Sequence, residues 1–369
     1  VVVSNPLKER EPRDTSLYQQ RIRAWNPVLD TKWVAITMIC IGIIFVPVGY
    51  TIVSSVDELP QYEIIYDSHD NAPYQGCGIG DVALANKSCS LTFTVDQDLE
   101  PPIFVHYRVE GFNQNQRAYA ISRDDEQLLG DVIRSAKKEC KPLREIGDTA
   151  LNPCGLIANT LFYDTFTLQP VKDANGEELK MIEEGIAWQS DIDWKFKQPS
   201  GFNYEQCDSC DACSCEGDDW SCDTPYKAPN GTCFRYFYPE DDTTRYLYET
   251  YPNVINPIEG VTNEHFIVWM RVAALPDFRK LYGYFNQPIK KGTRLVFDVS
   301  LNWEVTSWRG NKALIISKSY IFGGKNYSLG RFYYIVGFVS LGLGVAFLLK
   351  QIFRPRKLGD REYLVFKED

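Results

Sequence analysis

Trp33 to Val56 reads WVAITMICIGIIFVPVGYTIVSSV, 24 residues without a charge. At about 1.5 Å per residue, a helix of that length crosses a hydrocarbon core of roughly 30 Å with some tilt. A cleaved signal sequence fits poorly, because a polar stretch of about 30 residues precedes the run and the run is longer than an h-region. Pro47 is compatible with a span, where proline kinks a helix rather than ending it. A second run, Phe332 to Leu349 (FYYIVGFVSLGLGVAFLL), holds 18 residues without a charge. In it Ser340 with Gly344, and Gly342 with Ala346, repeat small residues at a spacing that admits a closely packed helix. Glycines 337, 342 and 344 are therefore the expected face of close approach, toward the first run or toward a partner.

The flanks of these runs set the orientation. Lys8, Arg10, Arg13, Arg21, Arg23 and Lys32 precede the first, and Lys350, Arg354, Arg356 and Lys357 follow the second. The opposite flanks carry Asp57 and Glu58 on one side and Lys318, Lys325 and Arg331 on the other. The excess of lysine and arginine predicts cytosolic segments at 1–32 and 351–369, spans at 33–56 and 331–350, and an extracytoplasmic domain at 57–330. The cysteines agree. Cys40 lies in the first run, but Cys77, Cys89, Cys140, Cys154, Cys207, Cys210, Cys213, Cys215, Cys222 and Cys233 all lie between the runs. An even set confined to one segment points to an oxidising compartment.

Cys77 with Cys89, and Cys140 with Cys154, would each close a short loop. The six from Cys207 to Cys233 permit fifteen connectivities, and none is assigned. Their CxxCxxCxC spacing also suits zinc, although an even count outside the cytosol favours three disulfides.

The middle segment alternates apolar and polar residues over Leu91–Val95, Ile103–Val109, Phe266–Val272, Arg294–Val299 and Ala313–Ser317, between turns rich in Pro, Gly, Asn and Asp. That pattern predicts a mainly antiparallel β-sandwich with short helices. One helix is expected around Asp124–Lys138, with Leu128, Leu129, Val132 and Ile133 on one face. Glycosylation sequons stand at Asn86, Asn230 and Asn326, the last about six residues from the second span. The net charge of −10 argues against a nucleic-acid partner, since binding phosphate needs a basic face. The three histidines are scattered, and there is no GxSxG, HExxH, P-loop or Asp-Lys-Thr-Gly sequence.

Several strings resemble the Cdc50/Lem3 family. Tyr18-Gln19-Gln20-Arg21 followed by Ala24-Trp25-Asn26-Pro27 is similar to that family's cytosolic segment beside the membrane. Asn152-Pro-Cys-Gly155 running into Ala158-Asn-Thr-Leu-Phe162 and Asp164-Thr-Phe166 resembles its central motif. Trp269-Met-Arg271, Ala273-Ala-Leu-Pro276 and Phe278-Arg-Lys-Leu-Tyr-Gly283 resemble its longest signature, and Gly323-Gly-Lys-Asn326 resembles the exit from its outer domain. There are departures. Tyr163 stands where the family commonly has a glycosylated Asn, Leu301–Val305 stands where it has a Tyr-Pro step, and the six-cysteine cluster looks like an elaborated loop.

The resemblance implies a chain with no catalysis and no cofactor of its own. It would be the accessory subunit of a P4-type ATPase, forming a heterodimer with the pump that moves membrane phospholipid from the exoplasmic to the cytosolic leaflet. It would escort that pump out of the endoplasmic reticulum and stabilise its working conformations. Three surfaces would make the contact. They are the cytosolic segment with Tyr18, Gln19, Gln20, Arg21 and Trp25, the spans, and an outer surface that includes Arg271 and Arg279. A competing use of the cytosolic segment is to anchor on anionic headgroups, with Trp25 at the interface. Trp269 reads as core packing in a buried strand. A receptor or adhesion protein with a disulfide-rich ectodomain would share this topology without needing a pump.

Overall fold

The two apolar runs fold as long helices, α1 (Thr31–Asp57, 27 residues) and α7 (Ser328–Phe353, 26 residues), each extending beyond its charge-free stretch. They belong to a computed structural model that describes residues 13–22, 30–69, 77, 87–132, 137–172, 176–210, 213, 225–240, 242–319 and 323–355. Helix α1 continues through Pro47. The helices pack on each other through small residues. A Cβ added at Gly337 would lie 2.8 Å from Val46 Cγ2 and 3.1 Å from the Val46 nitrogen, and one at Gly344 would lie 2.7 Å from Ile39 Cγ1. Gly49 faces the Gly330 carbonyl just as closely, at 3.1 Å. The expected close-approach face thus divides: Gly337 and Gly344 meet α1, whereas Gly342 has nothing within 4 Å of its Cβ position. Where the C-terminal end of α1 meets the start of α7, Tyr327 Oη donates to Asp57 Oδ1 at 2.8 Å. This helical pair forms one compact unit, and residues 58–325 form another.

In the second unit, β1 (Gln61–Ser68), β2 (Lys87–Thr94) and β3 (Ile103–Glu110) open the fold. The short β4 (Glu145–Ile146), β5 (Thr149–Asn152) and β6 (Thr165–Leu168) follow. Next come β7 (Asn203–Cys207), β8 (Tyr226–Lys227), β9 (Cys233–Phe237) and β10 (Thr244–Tyr246), and finally β11 (Phe278–Phe285), β12 (Arg294–Leu301) and β13 (Asn311–Ser317). A four-stranded antiparallel sheet runs β1-β13-β3-β11 and a three-stranded antiparallel sheet runs β2-β12-β6. Two smaller sheets, β10-β5-β4 and β7-β9-β8, lie outside them, and β10 pairs in parallel with β5.

Period-two alternation puts Ile103, Val105, Tyr107 and Val109 of β3, and Leu295, Phe297, Val299 and Leu301 of β12, into one core. Aromatic contacts join the two larger sheets across it. The Tyr66 ring meets that of Phe166 edge-on at 5.7 Å, Phe166 meets Tyr282 at 4.9 Å, and Phe162 stacks on Tyr107 at 4.0 Å. Two sheets sharing a core in this way make a sandwich. Full burial of each such side chain contributes on the order of 2 kcal/mol.

One cluster of charges is sealed inside. Lys312 on β13 is fully buried; its Nζ lies 2.6 Å from Asp164 and 3.2 Å from Asp67, and it also donates to the Trp303 carbonyl. Asp164 accepts besides from Tyr66 Oη at 3.0 Å, and from the backbone nitrogens of Asn302 at 2.6 Å and Trp303 at 2.7 Å. The Asp-Thr-Phe motif and the Leu301–Val305 segment therefore meet at one carboxylate. Tyr163, the neighbour of Asp164, is half-buried, with its ring 5.4 Å from that of Tyr251.

Two expected elements differ. Phe266–Val272 is not a strand: Glu264–Met270 forms helix α6, and Phe266, Ile267, Trp269 and Met270 are its buried residues. A continuous apolar run has no reliable period, and the deciding signal is Asn263, whose side chain accepts from the Phe266 nitrogen as an N-cap. The helix expected over Asp124–Lys138 is also short. Asp124 caps α3 (Asp125–Leu128), which follows the single turn α2 (Arg117–Ala120). Gly130 then turns to φ +100°, against the Gln198 carbonyl, and stops it. Two further short helices are α4 (Gln189–Trp194) and α5 (Leu247–Thr250).

Disulfides join Cys77 to Cys89, Cys140 to Cys154, Cys207 to Cys213 and Cys210 to Cys233, with Cα separations from 5.2 to 5.6 Å. Cys215 and Cys222 lie outside the described residues.

Candidate partner-binding surfaces

Arg271 follows the C-terminus of α6, and its position is fixed by a lysine from the adjoining strand. Lys280 Nζ donates to the carbonyls of Val268 at 3.0 Å, Trp269 at 2.7 Å and Arg271 at 2.5 Å. A cation suits the negative end of the α6 dipole. Burial pushes the Lys280 amine down to about 7, and the three carbonyls together with the rings of Trp269 and Phe278 oppose that desolvation. Trp269 itself is wholly buried and donates through Nε1 to the Ile157 carbonyl at 2.9 Å, so it belongs to the core.

The Arg271 side chain projects outward, half exposed. Its Nε donates to Asp191 Oδ2 at 2.5 Å and its guanidinium lies 5.2 Å from the Trp188 ring centroid. Asp191, on α4, is buried and also holds Lys195 Nζ at 2.6 Å. Burial would raise this carboxyl, but the hydrogen bonds from Arg271 and Lys195 outweigh it and hold Asp191 below the ordinary carboxylate range. Beside this pivot lies a groove of about 550 Å³, with Leu128, Phe196 and Met270 on its apolar side and Arg123, Trp194 and Lys195 among its other walls. Trp188 and Trp194 are 64% and 76% exposed.

Arg279 belongs to a different surface. It lies on β11, on the sheet face opposite the core, in register with Arg108 of β3 and with its guanidinium packed against Gly324. Arg108 in turn pairs with Glu63 at 2.7 Å and with Glu110. His106 sits on the same face; burial, and after it the Arg279 charge, push its imidazole down to about 4. Arg271 and Arg279, neighbours in sequence, therefore serve two surfaces.

In the segment ahead of α1, Gln19 and Arg21 donate backbone bonds to Thr15 and Ser16, closing a single turn that ends at Gln20 with φ 55°. Tyr18 is 61% exposed, and Arg21 is exposed beside it. Trp25 lies outside the described residues, as does the sequon residue Asn86. Asn230 is exposed in a turn, its Oδ1 accepting from the Thr232 nitrogen at 3.0 Å. Asn326 is exposed, and its sequon ends on Ser328, the first residue of α7.

Sequence reasoning did not single out Trp188, Asp191, Trp194 or Lys195. The signal available was the string Trp188-Gln-Ser-Asp-Ile-Asp-Trp194-Lys195, two tryptophans around an Asp–Lys pair at i,i+4.

A profile of the LEM3 (ligand-effect modulator 3) family / CDC50 family matches residues 51–357. Cell cycle control protein 50A of Bos taurus is 34% identical over 351 residues, covering 93% of this chain and 89% of its own length. Phospholipid-transporting ATPase accessory subunit CRF1 of Saccharomyces cerevisiae is 30% identical over 392 residues, covering 98% and 91%. ALA-interacting subunit 3 of Arabidopsis thaliana is 30% identical over 365 residues, covering 96% and 90%.

Proposed function

This chain belongs to the LEM3/CDC50 family, and from that membership we propose that it is the non-catalytic subunit of a P4-type ATPase, the ATP-driven pump that carries phospholipid from the exoplasmic to the cytosolic leaflet. The observation that carries this reading is the extent of the likeness. It begins within α1, takes in the whole outer domain and runs beyond α7, so it is no mere resemblance of spans or of a disulfide module. A yeast relative of similar length is named an accessory subunit of a phospholipid-transporting ATPase, and a plant relative an ALA-interacting subunit.

On this reading the chain binds rather than reacts, with both ends in the cytosol. The turn at Tyr18, Gln19, Gln20 and Arg21, with Trp25 after it, lies against the pump's cytosolic face. The outward faces of α1 and α7, where Ile43, Ile44, Phe338 and Val339 are exposed, meet lipid or the pump's own helices. Arg271 and Arg279 offer contacts outside the membrane, and Asn86 and Asn230 carry glycans. Pairing lets the complex leave the endoplasmic reticulum for the Golgi, endosomes or plasma membrane. The test is to purify a catalytic subunit with and without this chain and to measure aspartyl-phosphate formation and lipid transport in proteoliposomes. Both are expected to require the chain. Equal activity without it, or recovery of this chain from native membranes free of any such ATPase, would overturn the reading.

A further inference from the structure

The groove beside α4 has the make-up of a receptor for one particular kind of side chain. Three cations line it, Arg123, Lys195 and Arg271, against two carboxylates, Asp125 and Asp191. Each cation spends a single contact on those carboxylates: Arg123 Nε on Asp125 at 2.9 Å, and Lys195 Nζ and Arg271 Nε on the two oxygens of Asp191. The terminal guanidinium nitrogens of Arg271 make no hydrogen bond to another described residue. A local cationic excess is notable in a chain whose net charge is −10.

The cations are also held in place before anything binds. Asp191 is 1% exposed and grips Lys195 and Arg271 at once, while Lys280 fixes the backbone carbonyl of Arg271. Side chains ordered in advance lose less entropy on binding. Around them stand two tryptophans that folding alone would not leave bare, at 64% and 76% exposure, with an apolar wall at Leu128, Phe196 and Met270. Exposed tryptophan beside arginine is the composition of an interface centre. The concavity, about 550 Å³, suits one or two inserted side chains rather than a flat bilayer surface.

The geometry points to this groove as the docking site for an extracytoplasmic loop of the catalytic subunit, one that presents an aspartate or glutamate next to an apolar side chain. The carboxylate meets Lys195 and the open edge of Arg271, and its apolar neighbour packs on Trp194. This rests on the accessory-subunit reading above.

The test uses the full chain co-expressed with a catalytic subunit. Trp194→Ala and Lys195→Glu are expected to reduce the co-purified pump by about tenfold each, the scale of a hot-spot loss, while Lys195→Arg retains it. Tyr204→Ser, an exposed change on the separate sheet β7-β9-β8, serves as the control. A photo-crosslinker placed at position 194 in the otherwise unaltered chain should capture an acidic loop of the pump, a readout that stands even where a variant folds poorly. Folded Trp194→Ala and Lys195→Glu proteins that recover the pump at the wild-type level overturn the docking site and leave the accessory role intact. So does a crosslink to phospholipid or to another protein. A wild-type chain that recovers no pump overturns the accessory role and the docking site with it.

Discussion

Lys312 and Asp164 stand 148 positions apart, yet one ammonium bridges two carboxylates inside the sandwich. Removing one partner of a buried ion cluster strands the others, at a cost of about 3–5 kcal/mol. Lys312→Met leaves Asp67 and Asp164 facing each other in the core and should lower the stability of the purified chain by that amount, read from denaturant unfolding followed by tryptophan fluorescence. His106 makes a pH prediction. Its folded pKa, about 4, lies below the ordinary 6.5, so between those values the unfolded chain takes a proton that the folded chain refuses. The His106 contribution is therefore fully present above pH 6.5 and is lost as pH falls toward 4, about 3 kcal/mol at most. His106→Gln should flatten that part of the stability profile, and an unchanged slope would refute the assignment. Neither feature was legible beforehand. Asp164 stood out only as part of a motif, and nothing local in the sequence marks Lys312 as its partner.

At the scale of elements, what was legible depended on whether a segment has a period of its own. Strands β2, β3 and β12 alternate cleanly, whereas β13 is buried from Lys312 to Ser317, and all four fall within a few residues of where the sequence pattern put them. Helix α6 does not alternate: its apolar run is buried on more than one side, and only the Asn263 cap distinguishes it from a strand. Helix α3 ends where a long-range neighbour, the Gln198 carbonyl, meets Gly130. The groove was missed for a related reason, since Trp188 and Trp194 follow no core period and their significance lies in their exposure. The small residues of α7 had a legible spacing but an undecided direction, and the structure turns Gly337 and Gly344 toward α1 while leaving Gly342 open. Gly337→Leu should then disrupt the α1–α7 pair and Gly342→Leu should leave it intact, as read by the efficiency of a cysteine crosslink engineered between the helices. Equal effects would mean that the pair packs on another face. The Cys140–Cys154 bond ties the chain ahead of β4 to the segment just after β5 and closes a loop of 14 residues, worth about 3 kcal/mol in the chain-entropy model. Cys140→Ala with Cys154→Ala should destabilise the outer domain and hold the complex in the endoplasmic reticulum, and normal surface delivery would argue against it.

For the whole molecule the consequential quantity is orientation, because a partner gripped on both sides of the membrane requires that each segment lie on its proper side. Basic residues flank the outer ends of α1 and α7, and the paired cysteines all lie between the helices. These are independent physical signals, one of charge retention and one of redox compartment, and they choose the same side. Glycosylation tests them without disturbing the core. Asn230→Gln, in an exposed turn, should remove one glycan, seen as a mobility shift that enzymatic deglycosylation abolishes. Asp14→Asn creates the sequon 14–16 ahead of α1 and, with that segment on the cytosolic side, should add none. Asn326→Gln should also change nothing, because its sequon ends on the first residue of α7, too near the bilayer for the glycosylating enzyme. A glycan gained at position 14 together with none at position 230 would invert the topology. In that arrangement the Tyr18–Arg21 turn and the α4 groove would each face the wrong side of the partner, and a subunit that grips its pump from both sides of the bilayer could not be built from this chain.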